Sequence, residues 1–387
     1  MVDDIKNIVV IGAGLMGAGI AQVSLMAGYN VTIVDVKDEF IKKGMASIEG
    51  GLKRLEDKGQ LVAAEVMERL KTSLELSSAV KDADFIIEAV VEKMDVKKDV
   101  FKTCDENALP HCIIATNTST MSITEMASVT TRQDKCIGMH FFNPVPLMRL
   151  VEIIAGEKSS NDAMELGIKV GESLPCLRGD RYVVKVLKDR PGFIVNRLNA
   201  PVGIYRNYLL DYCVENGISW EELDADYEGK TPMPPCVLAD YVGIDTSYYG
   251  GLYYAEQMSP DFTPGKVVTQ MVKEGKLGRK TGQGFYDWSK GRPQPDMSKK
   301  AGIVDFDLIA AIRMNEGCRM LEEGVTKSYT VIDDANMAGM NSPGPFKHGK
   351  DKYELYVKKL NEFVEKTGKK YLTPCEMLKS GKFLDMP

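Results

Sequence analysis

Histidine is scarce in this chain, at three of 387 residues, so any acid–base chemistry run on imidazole falls to His111, His140 or His348. The eight cysteines, at 104, 112, 136, 176, 213, 236, 318 and 375, form no C-x-x-C pair and no Cys/His spacing of the metal-binding kind. No metal is implied, and reduced, mostly buried thiols are expected. No apolar run is long enough to cross a bilayer. Met1-Val-Asp-Asp-Ile-Lys leads directly into an apolar strand with no signal peptide, so a cytoplasmic protein is expected, with no membrane partner. A basic tract is also missing. A formal net charge of -6 argues against nucleic acid as a partner, although local lysines can still hold phosphate groups. What remains is an ordinary globular composition, 44% hydrophobic and 27% charged, with room for two or three domains.

The chain opens on Asn7-Ile-Val-Val-Ile-Gly12-Ala-Gly14-Leu15-Met16-Gly17, which reads as a strand, a glycine turn and a helix. Gly12 permits the tight turn, Gly14 lets backbone approach a pyrophosphate, and Gly17 lets the helix pack closely on the strand. The free N–H groups at the helix start, around Leu15 and Met16, attract the anion. A second apolar run, Asn30-Val-Thr-Ile-Val34, ends in Asp35, eighteen residues past Gly17. That carboxylate can accept both ribose hydroxyls of adenosine and repels a 2′-phosphate, which favours NAD over NADP. A flavin or a degenerate site is the competing reading.

The α/β alternation continues with a charged helical segment from Glu39 to about Leu70, the strand Asp84–Val91, a helix, and the strand Ile113–Asn117. A doubly wound sheet is expected. Functional residues should then lie at the C-terminal ends of strands, where Asp35, Glu92, Asn117 and Ser119 fall. The stretch from Lys42 to Lys71, with Gly50-Gly51 inside it, reads as a solvated helical hairpin. Next comes His140-Phe-Phe-Asn143-Pro, with Glu152 twelve residues past the histidine. Imidazole titrates closest to neutrality, and a carboxylate on its far nitrogen would set the tautomer of a general base. A satisfied core histidine is the plain alternative. His111 reads as a residue entering a buried strand, and His348 sits in a polar run.

Together with Asn117-Thr-Ser119 and Pro191-Gly-Phe-Ile-Val-Asn196-Arg, these motifs resemble the 3-hydroxyacyl-CoA dehydrogenase family over residues 5 to about 288. Gly278-Arg-Lys-Thr-Gly-Gln-Gly-Phe-Tyr286 is similar to the signature that ends the family's helical domain. The resemblance implies a Rossmann-type NAD-binding domain over 1–188 followed by all-α C-terminal domains. It implies oxidation of an (S)-3-hydroxyacyl-CoA, with 3-hydroxybutyryl as the default acyl group, as in fatty-acid β-oxidation. By the same resemblance His140 is the catalytic base, Glu152 its partner and Asn143 their support. Ser119 and Asn196 contact the substrate oxygen, Glu92 and Lys97 the cofactor's ribose and nicotinamide side, and Lys58 the CoA phosphates. Two departures stand near the expected cleft mouth: Gly51 where the family often has a serine, and a longer stretch over 175–188. An NAD enzyme of a free hydroxy acid or sugar acid, and a non-enzymatic crystallin-like protein, are the other functional classes.

Beyond a Pro/Lys-rich linker the chain repeats itself weakly. Ile204-Tyr-Arg-Asn207, Asp224 and Pro234 in the helical domain, 189–290, find counterparts in Ile312-Arg-Met-Asn315, Asp333 and Pro343. Thr263-Pro264 is echoed by Thr373-Pro374. A degenerate second helical copy over 303–387 is therefore expected. Such a copy could occupy a partner subunit's place, making a monomer that imitates half a dimer; a homodimer is the alternative.

Overall fold

The structure is a computed structural model that describes Val2 and residues 5–386; Met1, Asp3 and Asp4 of the N-terminal lead-in, and Pro387, lie outside the described residues. Among the described residues no helix is long and apolar enough to cross a membrane. The chain divides into two compact units. Residues up to Asn196, joined by Met320–Lys347, form the first, and Arg197–Arg319 with His348–Asp385 form the second.

The first unit is built on an eight-stranded sheet. In chain order its strands are β1 (Asn7–Ile11), β2 (Asn30–Val34), β3 (Leu70–Ser73), β4 (Phe85–Glu88), β5 (Ile113–Thr116), β6 (Cys136–Phe141), β7 (Leu150–Ala155) and β8 (Tyr182–Val186), arranged 3-2-1-4-5-6-7-8. All neighbours are parallel except β6 and β7. β1, β4 and β5 are near-continuous apolar runs because both faces are covered. Ile8, Val10, Phe85 and Ile87 enter one core, while Val9, Ile11 and Ile86 enter the other. Helices α1 (Leu15–Met26), α2 (Asp38–Glu56), α3 (Met94–Asn107) and α4 (Asn161–Ser173) belong to this unit. The strand order reverses between β2 and β4 on either side of β1, which puts the glycine turn at the switch point.

Two local expectations change. The charged segment is helical only to Glu56 and again over Ala63–Met67; Leu70 and Lys71 instead extend the sheet as β3, pairing with Val31 and Thr32. β4 stops at Glu88 rather than running to Val91, because the Glu88 carboxylate turns back to accept the Val90 N–H at 2.7 Å.

The second unit is helical. Its longer helices are α5 (Val202–Asn216), α6 (Pro235–Val242), α7 (Ile244–Gln257), α8 (Phe306–Glu322), of which the last three residues fall in the first unit, and α10 (Tyr353–Thr367). The helix between them in sequence, α9 (Tyr329–Met340), belongs to the sheet unit. The 303–387 stretch is thus not a unit of its own. Repetition is nonetheless visible in how helix starts are held. Asp224 accepts the N–H groups of Cys236 and Val237 after a proline pair, and Asp333 accepts those of Phe346 and Lys347 after Pro343-Gly-Pro. Within the helical unit, Phe363 of α10 meets Tyr205 and Tyr208 of α5 edge-on, at 5.4 and 5.3 Å between ring centroids.

Candidate active site

The glycine turn is built as a cradle. Gly12 has φ 103°, a left-handed conformation that suits glycine, and a Cβ there would stand 2.5 Å from the Ala89 carbonyl oxygen. A Cβ on Gly17 would lie 1.8 Å from the Gly12 oxygen, so only glycine lets α1 start this close to the turn. At Gly14 nothing lies within 4 Å of the Cβ position. No side chain caps the helix there, and Leu15 beside it is 69% exposed while Met16 is half-buried. An open glycine in front of an uncapped helix start is what a pyrophosphate needs. Asp35 follows β2 directly. Its Oδ2 accepts the Ala13 N–H at 2.7 Å and its Oδ1 accepts that of Val36 at 2.7 Å, which ties this carboxylate to the glycine turn.

Past β4 lies a chain of charges. Lys97, on α3, is buried and pairs with Glu88 Oε1 at 2.7 Å and Glu92 Oε2 at 3.1 Å. Glu88 Oε2 takes the Thr116 hydroxyl at 2.6 Å, and Glu92 Oε1 takes the Thr118 hydroxyl and the Ser119 N–H at 3.0 Å. The half-exposed Glu92 therefore holds the backbone of Ser119, and Lys97 steadies Glu92 from inside. Glu88 was not expected at the site, although a carboxylate closing an otherwise apolar strand was a signal for it.

β6 and β7 are antiparallel, and their register sets His140 directly opposite Glu152. Both are buried, with His140 Nδ1 2.7 Å from Glu152 Oε2. The other carboxylate oxygen accepts the N–H groups of Ile194 and Val195 at 3.1 and 3.0 Å. Those two groups are aimed by a sharp turn in which Gly192 and Phe193 both have positive φ, 78° and 55°. A bulky residue in that region is strained, and burial of the Phe193 ring holds it there. The rings of Phe142 and Phe193 stand 4.5 and 5.6 Å from the imidazole. Asn117 Oδ1 accepts the Phe141 N–H at 2.9 Å, so this residue braces the strand beside the histidine.

Other expected residues are placed differently. Asn196 lies in the short helix Val195–Asn199, directly after the two N–H groups that bind Glu152. Asn143 is exposed beside the cis peptide to Pro144 and makes no hydrogen bond to His140 or Glu152. Lys58 is exposed in the turn after α2 rather than on the helix. Gly51 is buried, and a Cβ there would stand 2.3 Å from the Gln22 amide oxygen, so Gln22 fills the room a serine would take. The long 175–188 stretch clamps the segment after the histidine strand: Arg181 donates to the carbonyls of Met148, Val145, Leu174 and Pro175. His111 is exposed and bonds Asp84 at 3.0 Å rather than entering a buried strand, because its strand begins only at Ile113. None of the eight cysteines is in a disulfide, and burial pushes the Cys112 thiol up to about 12.

Comparison with known proteins gives two family matches. Residues 7–188 match the 3-hydroxyacyl-CoA dehydrogenase NAD-binding domain, and 192–288 match the C-terminal domain of the same family. The mitochondrial hydroxyacyl-coenzyme A dehydrogenase of Sus scrofa is 37% identical over 296 residues, which is 73% of this chain and 91% of that protein. The crystal structure of (S)-3-hydroxybutyryl-CoA dehydrogenase from Ralstonia eutropha is 37% identical, with a TM-score of 0.66, over 73% of this chain and 99% of that one. A 3-hydroxybutyryl-CoA dehydrogenase structure from Escherichia coli shares the fold across 98% of both chains, with a TM-score of 0.84 at 24% identity.

Proposed function

The chain belongs to the 3-hydroxyacyl-CoA dehydrogenase family, and from that premise we propose that it interconverts (S)-3-hydroxyacyl-CoA and 3-oxoacyl-CoA with NAD, His140 acting as the base. One observation carries the assignment. Glu152 already receives two backbone N–H groups, and as a carboxylate it only accepts, so His140 Nδ1 carries a proton toward it. The lone pair is then on Nε2, the nitrogen left for substrate.

In the oxidation direction His140 Nε2 removes the hydroxyl proton as hydride leaves the same carbon, and Glu152 stabilises the imidazolium so formed. Bound NAD supplies the hydride acceptor. Ser119, whose backbone is held by Glu92, and Asn196, next to the Glu152-binding turn, hydrogen-bond the oxygen whose charge changes. In reduction the imidazolium returns its proton to that oxygen. Gly12, Gly14, Leu15, Met16 and Gly17 receive the pyrophosphate, Asp35 the adenosine ribose, and Glu92 the nicotinamide-side ribose. Lys97 serves through Glu92, since its ammonium is enclosed by two carboxylates. Lys58, exposed in the turn after α2, would meet a CoA phosphate as a solvent-exposed charge. Unbridged cysteines suit a reducing compartment such as the cytoplasm.

The test is NADH oxidation with acetoacetyl-CoA against free acetoacetate, with His140→Gln alongside. The proposal expects turnover with the thioester alone, reduced by ~10²–10⁴ in the variant while NADH affinity is kept. Turnover of free acetoacetate at the thioester's rate would overturn the CoA assignment, and an unimpaired His140→Gln would overturn the base.

A further inference from the structure

The Met320–Lys347 stretch has no expected role in catalysis, yet it belongs to the sheet unit and lies along the edge next to the dyad. The edge strand is β8, and its unpaired side would be open to another chain. Here the Leu187 N–H, just past β8, bonds the Val325 carbonyl at 2.9 Å, and Arg190 meets Glu323 at 3.5 Å. α9 then packs across β7 and β8. Burial and the nearby Asp334 carboxylate push the Tyr182 phenol up, as close packing of α9 on β8 requires.

The contact reaches the imidazole through one ring. Gly339, on α9, lies so near the sheet that a Cβ there would stand 2.7 Å from Leu150 Cδ2 and 3.4 Å from Phe142 Cε1. Leu150 is fully buried, so its tip has little room to retreat. Phe142 in turn has its ring centroid 4.5 Å from that of His140. A glycine of the second helical copy, a phenylalanine and the histidine therefore lie in a row, each against the next. We infer that α9 is the back wall of the active site, and that Gly339 is a positioning residue that sets the Phe142 ring and through it the orientation of His140. The second copy then serves the reaction even though it has no binding motif of its own. This rests on His140 being the base.

The experiment compares Gly339→Val, Phe142→Leu and the double variant in the full chain, reading kcat, KM and the NADH dissociation constant. A shift of ~1 Å at a reacting geometry costs on the order of 10²-fold, so the smaller push from a valine is expected to lower kcat by about tenfold. NADH affinity should stay within about twofold, because the glycine turn lies at the ends of other strands. With the buried Leu150 blocking the nearer side at 2.7 Å, the valine side chain is forced toward the Phe142 ring. Phe142→Leu opens space there, so the double variant should recover kcat relative to Gly339→Val, a non-additivity that general loss of stability does not produce. Gly339→Ala repeats the comparison with a smaller side chain if the valine variant does not fold. A folded Gly339→Val with parental kcat, or losses that simply multiply in the double variant, would overturn the inference. His140→Gln measured in parallel separates the two failures: if it retains full turnover the base assignment falls, whereas if it is inactive and Gly339→Val is not impaired, only the wall does.

Discussion

Glu152→Gln is the substitution whose consequence the geometry specifies most fully. Gln has nearly the shape of Glu, but one end of its head group donates. Its oxygen can face the Ile194 and Val195 N–H groups or it can face His140, and not both. Turning the oxygen toward His140 would leave two buried N–H groups unmet, at about 1–3 kcal/mol each, whereas the single bond to the ring is worth about 0.5–1.5 kcal/mol. The amide NH₂ therefore faces Nδ1, which must accept, and the imidazole proton moves to Nε2, the nitrogen that has to be free. Loss of the base follows with the fold intact, so kcat should drop by ~10²–10⁴. Stopped-flow NADH oxidation with acetoacetyl-CoA reads the loss, and NADH fluorescence titration should show affinity unchanged within about twofold. A Glu152→Gln enzyme keeping more than about a tenth of parental kcat would refute the tautomer argument, since that is well short of what a positioned base supplies. Glu152→Ala, by contrast, abandons both N–H groups and should lose stability as well as rate.

Lys97→Met leaves Glu88 buried and without its cation, and urea unfolding should show a loss of about 3–5 kcal/mol. Adding Glu88→Gln removes the stranded charge, so the double variant should be more stable than Lys97→Met alone. Burial would raise the Asp105 pKa, but the Thr131 N–H and Arg132 guanidinium outweigh it and hold the carboxyl below its usual range. Its stabilising contribution is therefore present at neutral pH and is lost as pH falls through the lowered folded value. Asp105→Asn should accordingly be less stable than the parent at pH 7, and the gap in thermal midpoint should close as pH drops below the ordinary aspartate range. If the second copy takes a partner's place, light scattering at micromolar concentration gives a mass near 42.8 kDa, and a mass near twice that refutes it.

Some of the site was legible because its geometry is local. A glycine turn before an uncapped helix, and apolar runs that fit a sheet covered on both faces, depend on a few adjacent residues. The twelve-residue spacing of His140 and Glu152 is the same kind of case, since two strands joined by a short connection bring such a pair face to face. Glu88 was harder to read for the opposite reason: the carboxylate closing an apolar strand is visible in the sequence, but its partner Lys97 arrives from the next helix, and only burial makes that pairing necessary. Asn143, prominent in its motif, turns outward, while Asn117 takes the bracing role one strand away.

The sequence by itself determined the glycine turn, the α/β order of the first half and the two residues of the dyad, because backbone sterics, helix-start N–H groups and strand periodicity act over short stretches of chain. Tertiary structure alone decided what holds them. Phe193 stays in a strained turn because its ring is buried, and Lys97 reaches Glu92 because Glu88 stands behind it. Residues 320–347 leave their own repeat to pack on β7 and β8 and set a glycine close to the ring beside His140. Contacts of that range are selected by the close packing of surfaces distant in sequence, and no local pattern encodes them.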